Sequence, residues 1–207
     1  MDLRDILALH RYRDDPIGLA ESLWPHARFY AKQRECIESV RDNDETFIVA
    51  GNMLGKDYQA GFICLWFFLT RHPCRIVTTS VKDDHLRVLW GEIGRFISTC
   101  KIPLDEREGG ILLINHRDIR KSVNNRKCDI SYLVGMVSKS GEGMAGHHAA
   151  NTLGVIDEAS GVDDLVYTQM DTWAKRKLVF GNPMNTTNFF YRAVKSGNLQ
   201  EKEAVNG

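Results

Sequence analysis

The chain has 207 residues with 27 basic and 27 acidic side chains, so its formal net charge is zero. Hydrophobic residues make up 43% of the sequence and charged residues 26%, which excludes intrinsic disorder of the whole chain. No global charge draws the chain to nucleic acid or to an anionic membrane, so such a contact requires a local patch or a partner. Five scattered cysteines without a CxxC pair argue against a disulfide framework and against a zinc site.

Short apolar segments with strand character alternate with helical segments along most of the chain. Helices are predicted over 30–41, 56–69, 82–98 and 164–173. Strands are predicted over 46–50, 75–79, 111–114, 118–123, 130–137, 152–156 and 178–180. This alternation predicts an α/β fold with a mainly parallel sheet that helices cover on both faces. The longest apolar run, 61–69, is too short to span a bilayer and predicts a buried helix that includes Trp66, Phe67 and Phe68.

The first motif is a glycine-bearing loop between a predicted strand and a predicted helix. Residues 50–57 read AGNMLGKD and approximate the phosphate-binding pattern G-x-x-x-x-G-K-[ST], with Ala50 at the first glycine and Asp57 at the hydroxyl position. In such a loop the backbone N–H groups and the helix start converge on an anion, and Lys56 would reach the β- and γ-phosphates. The alternative is an ordinary strand-to-helix turn with an acid at the helix start.

The second motif is the apolar segment 153–156, which is followed directly by Asp157 and Glu158. Strand ends in an open α/β sheet face the ligand crevice, so both acids are expected there. Asp157 would hold Mg²⁺, and Glu158 would orient and deprotonate an attacking water. The alternative is an acidic strand end that simply opens a loop.

A third segment, 178–187, ends a predicted strand in a polar turn that contains proline. Asn182, Thr186 or Thr187 could sense a γ-phosphate or the attacking water from this position. An ordinary β-turn is the alternative interpretation.

Taken together, these segments resemble the ATPase domain of the large terminase subunit of tailed bacteriophages, the motors that package double-stranded DNA into procapsids. The resemblance runs from about Pro25 to Tyr191. Tyr30 and Gln33 resemble the adenine-binding aromatic residue and glutamine of that family, and 181–183 resembles its coupling motif.

The resemblance implies an ASCE-type, RecA-like P-loop NTPase fold that binds ATP and Mg²⁺. It divides the chain into an N-terminal helical lead-in at 1–45, an ATPase core at 46–194 and a polar tail at 195–207. The implied catalytic residues are Lys56, Glu158 and Asn182, and the implied metal ligands are Asp57 and Asp157. The implied nucleotide contacts are Tyr30, Gln33, Gly51, Asn52, Met53, Leu54, Gly55, Lys56 and Asp57.

The function that the resemblance implies is ATP hydrolysis coupled to translocation of double-stranded DNA in the host cytoplasm. The implied partners are a small terminase subunit, a portal protein and further copies in a ring. The family's nuclease domain is expected to be absent from these 207 residues, which are then either an isolated ATPase domain or a natural ATPase-only protein. Two alternatives stay open: a nucleotide-binding P-loop protein with little turnover, and a helicase-like DNA-dependent ATPase.

A dinucleotide-binding protein is a less favoured alternative. Residues 141–146 match G-x-G-x-x-G, but only 147–151 separate them from the next predicted strand, which is too short for a crossover helix. His147 and His148 would point to opposite sides of a strand and form a poor metal-ligand pair.

A basic cluster is interpreted either as a DNA-backbone contact or as a solvated hairpin. Its members are Arg117, Arg120, Lys121, Arg126 and Lys127.

Overall fold

A computed structural model describes residues 8–49, 51, 55–123, 126–138, 141, 143–184 and 186–196. The main helices in these ranges are α1 (Pro16–Leu23), α2 (Ala31–Asp42), α3 (Lys56–Leu69), α4 (Asp83–Ser98), α5 (Asp164–Asp171) and α6 (Phe189–Lys195). The strands are β1 (Glu45–Val49), β2 (Cys74–Ser80), β3 (Leu112–Asn115), β4 (Asp118–Val123), β5 (Arg126–Gly135), β6 (Asn151–Asp157) and β7 (Arg176–Gly181). Two short 3₁₀ helices lie at Glu106–Glu108 and Ala159–Gly161.

The strands form one seven-stranded sheet in the order β1-β7-β6-β2-β5-β4-β3. The first five of these are mutually parallel, and β4 and β3 complete the sheet as antiparallel strands. The predicted α/β class with a mainly parallel sheet is therefore confirmed. The carboxyl ends of the parallel strands meet at a single edge, which is where an open α/β sheet binds its ligands.

Side-chain alternation along the strands divides the interior into two layers. In β6, Leu153 and Val155 pack with α3 and α4, whereas Ile156 packs on the opposite face with α5 and α6. Successive side chains of a strand point to opposite faces, so Asp157 returns to the face of Val155. The register of β6 thus directs the first acid of the predicted motif toward the start of α3.

Helix α3 carries apolar residues on every side, and it lies inside the protein. Twelve of its fourteen residues are buried, including Trp66, Phe67 and Phe68, which confirms the predicted core helix. A helix that is apolar all round is stable only when other elements cover it, here the sheet on one side and α4 with the N-terminal helices on the other. Its start, which carries Lys56, is therefore held rigidly against the sheet edge.

The N-terminal helices pack into the same core as α3 and α4. Trp24 is fully buried, its indole Nε1 donates to the backbone oxygen of Phe96 over 2.6 Å, and its ring meets Phe62 and Phe96 edge to face. Phe29 stacks against the same aromatic rings. The division of the chain at residue 45 stays a prediction. In the part of the chain described, no helix has the length and apolar character needed to cross a membrane.

We expect Trp24 to be a major source of stability. Trp24→Phe leaves the Phe96 carbonyl without its donor and should lower the free energy of unfolding by about 1–3 kcal/mol. Trp24→Ala adds a cavity and should lower it by about 3–5 kcal/mol. Urea denaturation of both variants measures this. Equal stability of Trp24→Phe and the wild type would contradict the assigned role of the indole hydrogen bond.

Candidate functional site

The two predicted motifs meet at the carboxyl edge of the sheet. Lys56 is the first residue of α3, and its side-chain nitrogen forms a hydrogen-bonded ion pair with the Glu158 carboxylate that follows β6. Lys56 is only 7% exposed, so water screens the pair poorly. A contact between residues 102 positions apart joins the glycine loop and the acidic strand end in one site.

Asp157 is the most deeply buried acid of this site. It is 1% exposed, and its Oδ1 has no hydrogen-bond partner among the described residues. Burial, reinforced by the nearby charge of Asp57, raises the pKa of Asp157 to about 7, while Lys56 opposes the shift. A buried carboxylate oxygen without a partner is costly, and a hard divalent cation is the kind of ligand that would satisfy it.

Asp57 lies in the first turn of α3 beside the same charges. Burial also raises its pKa; Lys56 opposes this shift, and Glu158 adds to it. The site thus contains three carboxyl groups near a single ammonium group, that of Lys56. In the described part of the chain, no group of three or more His, Cys, Asp or Glu residues forms a metal-ligand cluster. A phosphate-bound Mg²⁺ needs only one or two protein carboxylates, so Asp57 and Asp157 fit that mode of binding.

The helix start is tied to the N-terminal segment through Gln33. Its amide Nε2 lies within 3.5 Å of the Gly55 carbonyl, and its Oε1 accepts from the backbone N–H of Tyr30 over 3.3 Å. Gly55 has a φ of +68°, a backbone conformation that favours glycine, and a Cβ there would lie 2.7 Å from Gln33 Nε2 and would displace that amide. The Tyr30 ring is 52% exposed at the start of α2. The predicted adenine-contacting residues therefore lie beside the loop.

Asn182 follows β7 directly and is half-buried at the same edge. The preceding Gly181 lies so close to the chain after β6 that a Cβ there would be 2.9 Å from the Ala159 nitrogen. Glu158 itself adopts a left-handed φ of +50°, which is uncommon for a residue with a side chain. The two strand ends thus form a tight junction next to the Lys56 ion pair.

Several predicted residues are not brought into this contact or lie outside the described residues. Gly51 follows β1 and is exposed at the same edge. Asn52, Met53 and Leu54 lie outside the described residues, as do Ala50 and the tail from 197 onward. Thr186 and Thr187 are exposed at the approach to α6.

Sequence reasoning assigned no role to the end of β2. Ser80 is fully buried, pairs in register with Asp157, and has no hydrogen-bond partner among the described residues for its hydroxyl oxygen. The sequence feature that could have identified it is the run of three hydroxyl residues, Thr78, Thr79 and Ser80, at the end of this strand.

Four members of the basic cluster lie on the antiparallel hairpin β4–β5, but only part of their charge is solvated, and a DNA-backbone contact stays a prediction. Lys121 is fully buried, and its amine donates to the backbone oxygen of Arg71, while burial lowers its pKa to about 8. Arg117 donates to the Asp83 carboxylate over 2.9 Å. Arg120 is likewise paired with Asp118, which leaves Arg126 and Lys127 as the exposed members. Folding therefore removes most of this positive charge from the surface.

The glycine-rich segment before β6 also departs from a dinucleotide site. The described residues between β5 and β6 contain no helix, so they offer no helix start for a pyrophosphate. The Tyr132 hydroxyl and His147 Nδ1 form a hydrogen bond of 2.7 Å, and His147 Nε2 lies 2.8 Å from the Gly143 backbone oxygen. His147 is thus a structural residue that fixes this segment against the sheet.

Comparison with known proteins gives a match among solved structures. No protein-family profile matches the sequence, and no curated protein matches it. Among solved structures, the crystal structure of the HK97 bacteriophage large terminase superposes with a TM-score of 0.64 at 14% sequence identity. This chain shares the fold of that large terminase. The match covers 90% of this chain and 42% of the HK97 chain, so the present chain spans less than half of that terminase.

The terminase fold agrees with the resemblance that the motifs predicted. Identity of 14% is too low to carry residue roles from one protein to the other, so the match concerns the fold alone. The roles of Lys56, Asp57, Asp157, Glu158 and Asn182 must be argued from their own geometry.

The raised pKa of Asp157 predicts that this acid destabilises the protein when no ligand is bound. An ordinary Asp ionises near pH 4, whereas folded Asp157 ionises at about 7, so stability falls as the pH rises through this window. Asp157→Asn removes the ionisation and should raise the free energy of unfolding at about pH 8 by on the order of 2 kcal/mol, and much less at about pH 4.5.

Urea denaturation in EDTA at both pH values measures this difference, with the exposed acid variant Asp44→Asn as the control. A gain from Asp157→Asn that is the same at both pH values would contradict the assigned pKa. A gain of equal size and pH dependence in Asp44→Asn would show that the effect is not specific to the buried site.

Proposed function

We propose that this chain is the ATP-hydrolysing core of a viral DNA-packaging motor of the large-terminase type. The observation that carries the proposal is the partly buried contact between Lys56 and Glu158 at the carboxyl edge of a terminase fold, with Asp157 beside it. A lysine at a helix start and two acids at a strand end are the groups that phosphate transfer to water requires.

In this proposal the loop 51–55 and the start of α3 bind the phosphates of ATP. Backbone N–H groups at a helix start carry a partial positive charge, and Lys56 adds a full one where negative charge develops. Glu158 accepts the proton of the attacking water as the general base. Mg²⁺, held by Asp157 and Asp57, would supply Lewis-acid stabilisation of the phosphate oxygens.

The charge balance of the site supports a requirement for metal. Asp57, Asp157 and Glu158 together oppose free ATP, because Lys56 alone cannot neutralise three carboxylates and a triphosphate. Nucleotide is therefore expected to bind as its Mg²⁺ complex. Arrival of the γ-phosphate would draw Lys56 away from Glu158, which frees that carboxylate to receive a proton.

Adenine recognition is assigned to Tyr30 and Gln33. The exposed Tyr30 ring offers an apolar face for stacking, and Gln33 connects its backbone to Gly55 of the loop. Asn182 follows Gly181, which lies against the Glu158 backbone, and it is proposed to couple hydrolysis to movement.

The proposed substrate of translocation is double-stranded DNA in the host cytoplasm. The proposed partners are a small terminase subunit, a portal protein and further copies of this chain in a ring. The fold shared with the HK97 large terminase and the site at its sheet edge support this assignment.

Two substitutions should separate binding from hydrolysis. Lys56→Ala should abolish nucleotide binding and phosphate release together, because the site then loses its cation. Glu158→Gln should keep nucleotide binding and slow hydrolysis by about 10²–10⁴-fold, because an amide cannot act as the general base. Phosphate release with Mg²⁺ is measured with and without double-stranded DNA, and binding is measured with a fluorescent non-hydrolysable ATP analogue.

The matched controls are Lys32→Ala and Glu35→Gln, which alter a surface ion pair of 3.3 Å. Unchanged hydrolysis in Glu158→Gln would contradict the assigned base. Binding by the wild type without phosphate release, even with DNA, would instead favour a nucleotide-binding protein with little turnover. Strand separation by the chain would favour a helicase-like ATPase.

A further inference from the structure

The carboxyl end of β2 carries three neighbouring buried hydroxyl groups, of which that of Thr78 is hydrogen-bonded to Val134 and Trp90. Thr79 Oγ1 and Ser80 Oγ are both inaccessible to solvent, and neither has a hydrogen-bond partner among the described residues. A buried polar atom without a partner costs on the order of 1–3 kcal/mol, so each of these groups requires an explanation.

The two hydroxyl residues point to opposite faces of the sheet. Thr79 pairs in register with Ile156 and shares its apolar face with Val77. Ser80 pairs in register with Asp157, and both lie on the face that carries Lys56 at the start of α3. Only Ser80 therefore faces the candidate site.

Ser80 and Asp157 together present two oxygen atoms that lack partners. Strands that are neighbours in a sheet lie about 4.8 Å apart, so these side chains border the same small volume. Both oxygens can accept a hydrogen bond, and a group that donates to both would satisfy them at once. Water bound to a divalent cation is such a donor, because the cation polarises its O–H bonds.

The glycine loop of this chain lacks the hydroxyl that its pattern normally supplies to Mg²⁺. Asp57 occupies that position in the sequence. An acid there contributes charge, but it cannot reproduce a neutral hydroxyl that both donates and accepts. The end of β2 offers a hydroxyl on the same face of the sheet.

We propose that Ser80 is a positioning residue that accepts a hydrogen bond from a water on the nucleotide-bound Mg²⁺ and so supplies the hydroxyl that the loop lacks. This inference rests on the proposed function, because it requires a metal–nucleotide complex at Lys56. Ser80 holds the hydrated ion beside Asp157 and makes no contact with the reacting phosphate.

The test is the Mg²⁺ concentration that half-saturates binding of a fluorescent non-hydrolysable ATP analogue. Ser80→Ala should raise this concentration about tenfold, which is the usual effect of removing an outer-sphere partner of a metal. The affinity of Ser80→Ala for the analogue in EDTA should equal that of the wild type. Ser80→Cys keeps the side-chain volume with a weaker hydrogen-bonding group, so it should give an intermediate shift and serves if Ser80→Ala does not fold.

The matched control is Thr79→Val, which removes an equally buried hydroxyl from the neighbouring position on the opposite face. It should leave the Mg²⁺ dependence unchanged. An unchanged Mg²⁺ requirement in folded Ser80→Ala, or an equal shift in Thr79→Val, would overturn the role of Ser80 while the proposed function stands. Failure of the wild type to bind the analogue with Mg²⁺ any better than Lys56→Ala would overturn the proposed function itself, and the inference with it.

Discussion

The partly buried contact between Lys56 and Glu158 is the interaction on which the site depends. Its two partners belong to elements that are far apart in sequence. Lys56 is held there because α3 is apolar on every side and is fixed by the core. Glu158 reaches it because the chain leaves β6 in a left-handed conformation beside Gly181. Moving either element would leave a poorly solvated charge without its partner, which is strongly unfavourable.

The same edge concentrates more negative charge than the protein itself neutralises. Asp157 and Asp57 both have raised pKa values because burial disfavours their ionised forms. Such an arrangement lowers the stability of the ligand-free protein and favours a bound cation. Groups that are unfavourable for folding alone are common where a site must bind and release a charged ligand.

The fold tolerates wide sequence divergence, since the HK97 large terminase shares it at 14% identity. Sheet order and layer packing depend on the period of apolar residues, which many sequences satisfy. The chemistry of the edge depends on individual side chains, of which Asp57 is a departure from the usual loop pattern. Shared architecture therefore says less about turnover in this chain than the contacts of Lys56, Asp157 and Glu158 do.

Local sequence patterns determined the elements and their class. The apolar run of α3, the helical segment of α4 and the short apolar strands were all predictable from the sequence, because period and turn residues act within a few positions. The sequence placed Lys56 in a loop after one predicted strand and Glu158 at the end of another. It did not give the order of these strands in the sheet, so the direct contact between the two side chains could not be predicted. The sequence did not show which charged groups are exposed. Lys121 lies in a run of basic residues, yet it is buried and donates to the Arg71 backbone oxygen. The hydroxyl residues that end β2 were visible in the sequence, but the place of Ser80 beside Asp157 was not, because it depends on β2 and β6 being neighbours in register. The sequence alone determined the helices, the strands and the fold class, because these depend on neighbouring residues. The tertiary structure decided which polar groups from distant parts of the chain are buried side by side.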